Sequence, residues 1–295
     1  MIDGVLSIGE CMVEFGPAEC PGLFRRAFAG DTFNTAWYMR RRLSRDIPVH
    51  YHTAVGTDAI SDAMVRFIED AGIETGSIAR DTGRTIGLYT IHLSDGERSF
   101  TYWRDGSAAR LLAGHPLNPP GQRPLVYLSG ITLAILSSPD RTSLMEGLAE
   151  LRAQGAVIAF DPNIRPRLWE DADIACKTIT AMADESDIVL PSFDDEAAAF
   201  GDADPSATLE RYAAAPCVIV KNGPEAITIR SDGEISTRPA HVTQKIVDTT
   251  AAGDSFNAGF LAAYIKGEPV TSCVEEGAAL AARVVGQHGG LCDVA

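Results

Sequence analysis

The run V-D-T-T-A-A-G-D-S-F-N-A-G-F-L-A-A-Y at 247–264 sets three small residues directly before an aspartate that opens an apolar stretch. Ala251, Ala252 and Gly253 leave room for backbone N–H groups to converge on an anion, and the positive end of the following helix adds attraction. Asp254 then sits where a substrate hydroxyl could give up its proton. A bare G-D-S, taken alone, equally describes an aspartate N-cap among ordinary packing residues.

Five further clusters carry polar chemistry. A-G-D-T-F-N at 29–34 offers Gly30 for close backbone approach, Asp31, and Asn34, which can donate to and accept from sugar hydroxyls. T-I-G-L-Y at 85–89 and F-T-Y-W-R at 100–104 supply Tyr89, Tyr102 and Arg104, the last able to fork onto a carboxylate. F-D-P-N-I-R-P-R-L-W at 160–169 follows an apolar run, so Asp161, Asn163 and Arg165 fall at a strand's carboxyl end, with Arg167 a spare cation. L-P-S-F-D-D-E presents Ser192, Asp195 and Glu196, and V-I-V-K-N-G-P-E-A presents Lys221 and Gly223. Each has a plain alternative: a capped turn, a hairpin with an exposed arginine, a D-P-N turn, an acid-rich helix start, or a common Lys-Asn-Gly turn.

Short, fully apolar runs recur at Val5–Ile8, Val126–Leu128, Val157–Phe160, Ile188–Leu190 and Val218–Val220, which reads as strands buried on both faces. Helix-like stretches lie between them, at Ser143–Ala153, Asp194–Phe200 and Ala207–Ala214, and an Ala-rich helix is expected from Val274 to Gln287. That alternation predicts a mostly parallel α/β sheet covered by helices, with ligands beyond the carboxyl ends of the strands. The stretches at about 11–29 and 84–106 break the rhythm and predict a small accessory sheet, with S-D-G-E as its turn.

The 295 residues, 45% hydrophobic, are expected to form one α/β unit with an ample core. A formal net charge of −15 disfavours nucleic acid and anionic membrane as partners. No basic leader or long apolar span is visible, so a cytoplasmic protein is expected. The six cysteines form no C-x-x-C pair and the six histidines no metal-ligand spacing. Neither a G-x-x-x-x-G-K-[ST] loop nor a dinucleotide fingerprint is present.

The A-A-G-D string closely resembles the C-terminal G-A-G-D signature of the PfkB, or ribokinase-like, carbohydrate kinases, and A-G-D-x-x-N resembles their first signature. Both keep a small residue where the family has its first glycine. The resemblance implies a three-layer ribokinase-like fold with a small β lid. It also implies ATP and Mg²⁺ as co-substrate and cofactor, with phosphorylation of a sugar hydroxyl. Asp254 would be the base, and residues 251–254 the anion hole. The aromatic-x-Arg segment and the D-x-N-x-R segment look like the 2-keto-3-deoxygluconate kinase subgroup. Together with the first signature, they assign Gly30, Asp31, Asn34, Tyr89, Tyr102, Arg104 and Arg165 to an acid sugar. The same resemblance assigns Asn163, Arg165, Ser192, Lys221, Gly223, Ala251 and Gly253 to the nucleotide. Asp195 and Glu196 would serve the metal ion through water, in a register left open by Ser192 and the paired acids. A neutral ketose such as fructose, or a silent sugar-binding protein, are the alternatives. The lid is expected to pair with a second subunit, burying side chains such as Phe24, Phe28 and Ile91.

Overall fold

The computed structural model describes residues 1–293 except 19, 21, 95–96 and 242–245, with the backbone alone at 93–94 and 97–98. The chain runs β1 (Gly4–Ile8), β2 (Met12–Pro17), β3 (Phe24–Ala29), α1 (Asp31–Arg42), β4 (Val49–Val55), α2 (Ala59–Asp70), β5 (Ile78–Arg80), β6 (Leu88–Ser94) and β7 (Glu97–Trp103). It continues through β8 (Pro124–Ser129), α3 (Gly130–Ala134), α4 (Ser138–Ala153), β9 (Val157–Asp161), α5 (Ala172–Asp184), β10 (Ile188–Val189), α6 (Phe193–Phe200) and α7 (Pro205–Arg211). Last come β11 (Cys217–Val220), β12 (Ile227–Ser231), β13 (Glu234–Arg238), α8 (Ala252–Ile265) and α9 (Val270–Val284).

Nine strands form one sheet in the order β13-β12-β11-β10-β9-β8-β1-β4-β5. Every neighbour from β11 to β5 pairs parallel, and β12 and β13 close one edge as an antiparallel hairpin. The order reverses at β1, which lies between β4 and β8, and such a switch opens a crevice beyond the carboxyl ends of the strands. Along β1, Val5 packs in one core cluster while Leu6 and Ile8 pack in the other, so this strand is buried on both faces. The first cluster joins α1, α2, α8 and α9, with Phe33, Met64, Phe260 and Leu280; the second joins α4, α5 and α7, with Leu144, Met182 and Leu209. The result is the expected three-layer α/β arrangement.

α8 is enclosed on every side, and residues 255–263 are all buried. It crosses α9 at a pair of glycines: a Cβ on Gly259 would meet the Glu276 carbonyl at 2.8 Å, and one on Gly277 would meet the Phe256 carbonyl at 2.8 Å. Side chains there would push the helices apart. The expected helices begin earlier than their apolar runs suggest. Ser137 caps α4, which starts five residues ahead of Ser143, and α9 opens behind Pro269 and ends at Val284 rather than Gln287.

The two irregular stretches form a second, four-stranded sheet in the order β3-β2-β6-β7, with β2 parallel to β6 and the outer pairs antiparallel. The centre of the S-D-G-E turn lies outside the described residues. Two side chains expected at a subunit contact are already used within the chain. Phe28 is buried against Phe67, and Ile91 is buried with Met12 and Tyr89. Phe24 remains half exposed, and Leu23 and Trp103 are exposed as well.

Candidate active site

A cavity of about 370 Å³ opens between the carboxyl edge of the large sheet and the small sheet. It draws together residues far apart in sequence. Glu10 follows β1, Asp161 ends β9, and Lys221 follows β11, so the parallel strands deliver their charged residues to one edge. Gly30, Asp31 and Asn34 come from the start of α1, and Tyr89, Phe100, Tyr102 and Arg104 from the small sheet. Asn163, Arg165, Ser192 and the run 249–254 complete the wall. Gly30 is required by packing, because a Cβ there would sit 2.1 Å from the Glu10 carbonyl.

Ala251 precedes α8 with φ 60° and ψ 19°, a left-handed conformation that glycine adopts more readily. That bend turns the chain so that α8 begins at the cavity wall, with Ala252, Gly253 and Asp254 in its first turn. Asp254 accepts a hydrogen bond from Asn34 Nδ2 at 2.8 Å, and Thr35 Oγ1 donates to its backbone carbonyl at 3.2 Å. Burial first, and then the nearby Asp31 charge, push the Asp254 carboxyl up to about 7, against the opposing effects of Asn34 and Lys221. A carboxyl poised near neutrality is suited to taking a proton.

Each cation of the cavity is paired with an acid. Arg104 and Glu10, both nearly buried, form an ion pair to which Ser107 adds a hydroxyl donor on Glu10. The Arg104 Nε is buried without a partner. Lys221 bonds Asp161 at 3.1 Å, and Arg165 bonds Asp195 at 2.9 Å in a more open setting. Burial works against the Arg165 charge, but Asp195, Asp161 and Asp31 together hold its pKa above the ordinary value. Asn163, itself at φ 35°, donates to Asp31 at 2.8 Å. Tyr89 donates to Glu14 and is tilted against Tyr102 with centroids 5.6 Å apart.

A second, more apolar cavity of about 510 Å³ adjoins the first. Ser192, Lys221, Thr249, Ala252 and Gly253 line both. Its walls include Gly223, in the left-handed region at φ 52°, with Ile227 of β12, Phe256 of α8, and Ala278, Ala281 and Ala282 of α9. The small alanines of α9 leave space for a flat group here.

Of the residues assigned to the site from the sequence, Asp195 and Glu196 line neither cavity; Asp195 still reaches Arg165, whereas Glu196 is turned into the core. It is fully buried and accepts a hydrogen bond from Tyr212 at 2.7 Å, and burial raises its pKa to about 8. Helical geometry explains this: Asp195 and Glu196 point about 100° apart, so only one can face the cavity side of α6. Among the described residues, no group of three or more His, Cys, Asp or Glu side chains is placed to hold a metal. Glu10 was passed over in the sequence, although it directly follows a strand and a glycine. Of the second cavity, the sequence singled out Ser192, Lys221, Gly223 and Gly253, while its apolar walls at Ile227, Phe256 and the α9 alanines gave no polar signal.

A family model described as pfkB family carbohydrate kinase matches residues 3–293. The chain belongs to that family. The 2-dehydro-3-deoxygluconokinase of Haemophilus influenzae is 39% identical over 298 residues, 97% of this chain and 94% of its own length. The same-named protein of Escherichia coli strain K12 is 35% identical over 296 residues, covering 96% and 95%. Among solved structures, aminoimidazole riboside kinase from Salmonella enterica, complexed with aminoimidazole riboside and an ATP analog, matches with a TM-score of 0.84 at 21% identity, over 97% and 94% of the two chains. Fructokinase with bound ATP from Xylella fastidiosa matches at 0.80 and 21%, over 98% and 94%. At that identity the structural likenesses establish the ribokinase-like fold. This pfkB kinase is thus a sugar phosphotransferase, of a family that uses ATP with a divalent metal.

The raised Asp254 carboxyl has a consequence for stability. Between the ordinary carboxyl range near 4 and about 7, the folded kinase binds a proton that the unfolded chain has released, so Asp254 makes stability fall as pH rises through that window. Asp254→Asn is expected to flatten part of this slope and to be more stable than the parent at pH 8. Urea unfolding at pH 5 and pH 8 checks this, and an unchanged slope would contradict the shift.

Proposed function

We propose that this kinase phosphorylates a hydroxyl of 2-keto-3-deoxy-D-gluconate at the expense of ATP, with Asp254 as general base. The observation that carries the substrate is Arg104, a buried guanidinium that lines the same cavity as Asp254 and whose Nε has no partner. A sugar bearing a free carboxylate gives that donor a partner, and a neutral ketose does not. The names of the relatives at 35–39% identity over nearly the whole chain support the same choice.

In this reading the sugar occupies the first cavity, against Gly30, Asp31, Asn34, Tyr89, Tyr102 and Arg104, with Arg165 at its edge. The nucleotide base enters the second cavity beside the α9 alanines, and the phosphates reach the shared wall of Ser192, Lys221 and Gly253. Asn34 orients the Asp254 carboxylate through its 2.8 Å bond. Asp254 takes the hydroxyl proton as the sugar oxygen bonds to the γ-phosphorus, and the bond to the ADP oxygen breaks. The amides at 251–254 and the start of α8 stabilise charge on the transferred group. The sparse acidic donor set fits a divalent ion to which Asp195 would be the protein's contribution through water and from which Glu196 is turned away. Such an ion would neutralise phosphate charge. The small sheet serves as a lid that excludes water, the competing acceptor.

The exposed Leu23, Phe24 and Trp103 support a homodimer formed through that lid. Tyr102 lines the cavity, so Trp103, next on β7, faces the other side of its sheet.

Asp254→Asn is expected to keep the fold and sugar binding but to lose roughly 10² to 10⁴-fold in kcat, the range for a general base. The parent kcat should rise with pH toward a plateau above about 7. Coupled ADP-release assays read both, and near-parental turnover would defeat the assignment. Arg104→Ala should weaken the acid sugar by about 1.5–3 kcal/mol, roughly ten- to a hundredfold. A neutral ketose in parallel reports general damage from leaving Glu10 unpaired. Equal losses for both sugars would make Arg104 only the structural partner of Glu10. Light scattering should find a dimer that Trp103→Glu dissociates, whereas a parent that is monomeric throughout would remove the dimeric lid.

A further inference from the structure

Lys221 is held from two sides. Its ammonium donates to Asp161 Oδ2 at 3.1 Å and to Asn257 Oδ1 at 3.0 Å, which leaves one of its three protons uncommitted. Asn257 donates in turn to Asp161 Oδ2 at 2.6 Å and to the Tyr127 hydroxyl at 3.1 Å. Asn257 and Tyr127 are fully buried and line neither cavity, whereas Lys221 lines both. A Cβ on Gly253 would stand 3.8 Å from the Lys221 Nζ, so the ammonium lies beside the first turn of α8.

The three members come from three elements. Asp161 ends β9, Lys221 follows β11, and Asn257 stands three residues beyond Asp254 on α8. Residues three apart on a helix are neighbours on its surface, so Asn257 refers the strand ends to the same rigid rod that carries Asp254. Tyr127 extends the network back toward Asp254, since Thr35 Oγ1 lies 3.4 Å from its hydroxyl and 3.2 Å from the Asp254 carbonyl.

We propose that Asn257 is a positioning residue for phosphoryl transfer: it locks Lys221 against Asp161 and so fixes the remaining ammonium N–H at the junction of the two cavities, in register with Asp254. The proposal rests on the reading that transfer occurs at that junction. Charge on a transferred phosphoryl group spreads over its outer oxygens, and a donor already in place stabilises it without reorganising during the reaction. The position calls for an amide. An apolar residue would leave Lys221 with one anchor on a long, flexible stem, and a carboxylate would lose the donor to Asp161 and repel it.

A purely structural network would cost stability when broken, with no particular link to Lys221. The deciding experiment is a double-mutant cycle between Asn257→Ala and Lys221→Met, assayed by ADP release with whichever sugar the parent phosphorylates. Asn257→Ala is expected to lower kcat roughly ten- to a hundredfold, the scale of a small misplacement at a reacting centre, with the sugar KM unchanged. In the Lys221→Met background it should lower kcat no further. Parental kcat in Asn257→Ala, losses that multiply in the double variant, or a sugar KM that rises as much as kcat falls would each overturn the proposal. Tyr127→Phe keeps the buried volume and removes only the hydroxyl that Asn257 uses. It should lower kcat by a few-fold in the parent and not in Lys221→Met, and if Asn257→Ala does not fold, unchanged turnover in Tyr127→Phe overturns the proposal. Asp254→Asn run alongside separates the two readings, because its retention of activity would remove the base assignment whatever Asn257 does.

Discussion

In the proposed mechanism, the bond from Asn34 to Asp254 joins distant parts of the chain at a carboxylate that must be enclosed without being neutralised by a cation. Enclosure raises the energy of the charged form, and Asp31 raises it further. A directly paired lysine or arginine would relieve that cost, but it would also pull the carboxyl far below neutrality and make it a poor proton acceptor. A neutral amide is the compromise: it fixes the orientation and removes only part of the penalty. The geometry of α1, α8 and the β1 switch point follows from bringing Asn34 and Asp254 within one hydrogen bond of each other.

The same constraint explains why the cavity's cations have acids of their own. Arg104 faces Glu10, Lys221 faces Asp161, and Arg165 faces Asp195. An unpaired buried cation would be costly in its own right and would lower the Asp254 pKa at a distance. Pairing keeps each one in place with its field largely cancelled. Substrate anions then meet directed N–H groups and the start of α8 rather than bare positive charge. Arg104 shows how this works, because its Nη2 is committed to Glu10 while its Nε is not.

Much of this architecture could be read from the sequence because short apolar runs have few other uses. Val126–Leu128 and Val218–Val220 had to be doubly buried strands, and residues directly after such strands had to gather at one edge. That reasoning brought Asp161, Asn163, Arg165, Ser192 and Lys221 to the right edge of the sheet before any contact was known. It could not foresee their partners. Glu10 and Arg104 are 94 residues apart, and nothing local to either marks an ion pair. Asn257 sits inside a run that reads as plain core. The choice between Asp195 and Glu196 was also beyond pattern, since adjacent acids on a helix start are distinguished only by which side meets the core, and Tyr212 decides that from another element.

Phe28 and Ile91 were misjudged for a related reason. Alternation along a strand says that two faces differ, but not which one is already covered by the rest of the chain. In the small sheet both faces are in use. Met12, Tyr89 and Ile91 cluster on the cavity side, while Val13 and Phe28 join the main core. A four-stranded sheet supported in this way has core contacts of its own, and the large apolar side chains it leaves exposed away from the cavity are Leu23, Phe24 and Trp103. The cavity-side cluster has a different consequence: Tyr89 is held by Glu14 and by the Tyr102 ring, so the aromatic wall of the cavity is fixed by contacts within the chain. In the proposed reading, ordering that wall costs little on binding, and the binding energy of the sugar remains for aligning its hydroxyl with Asp254.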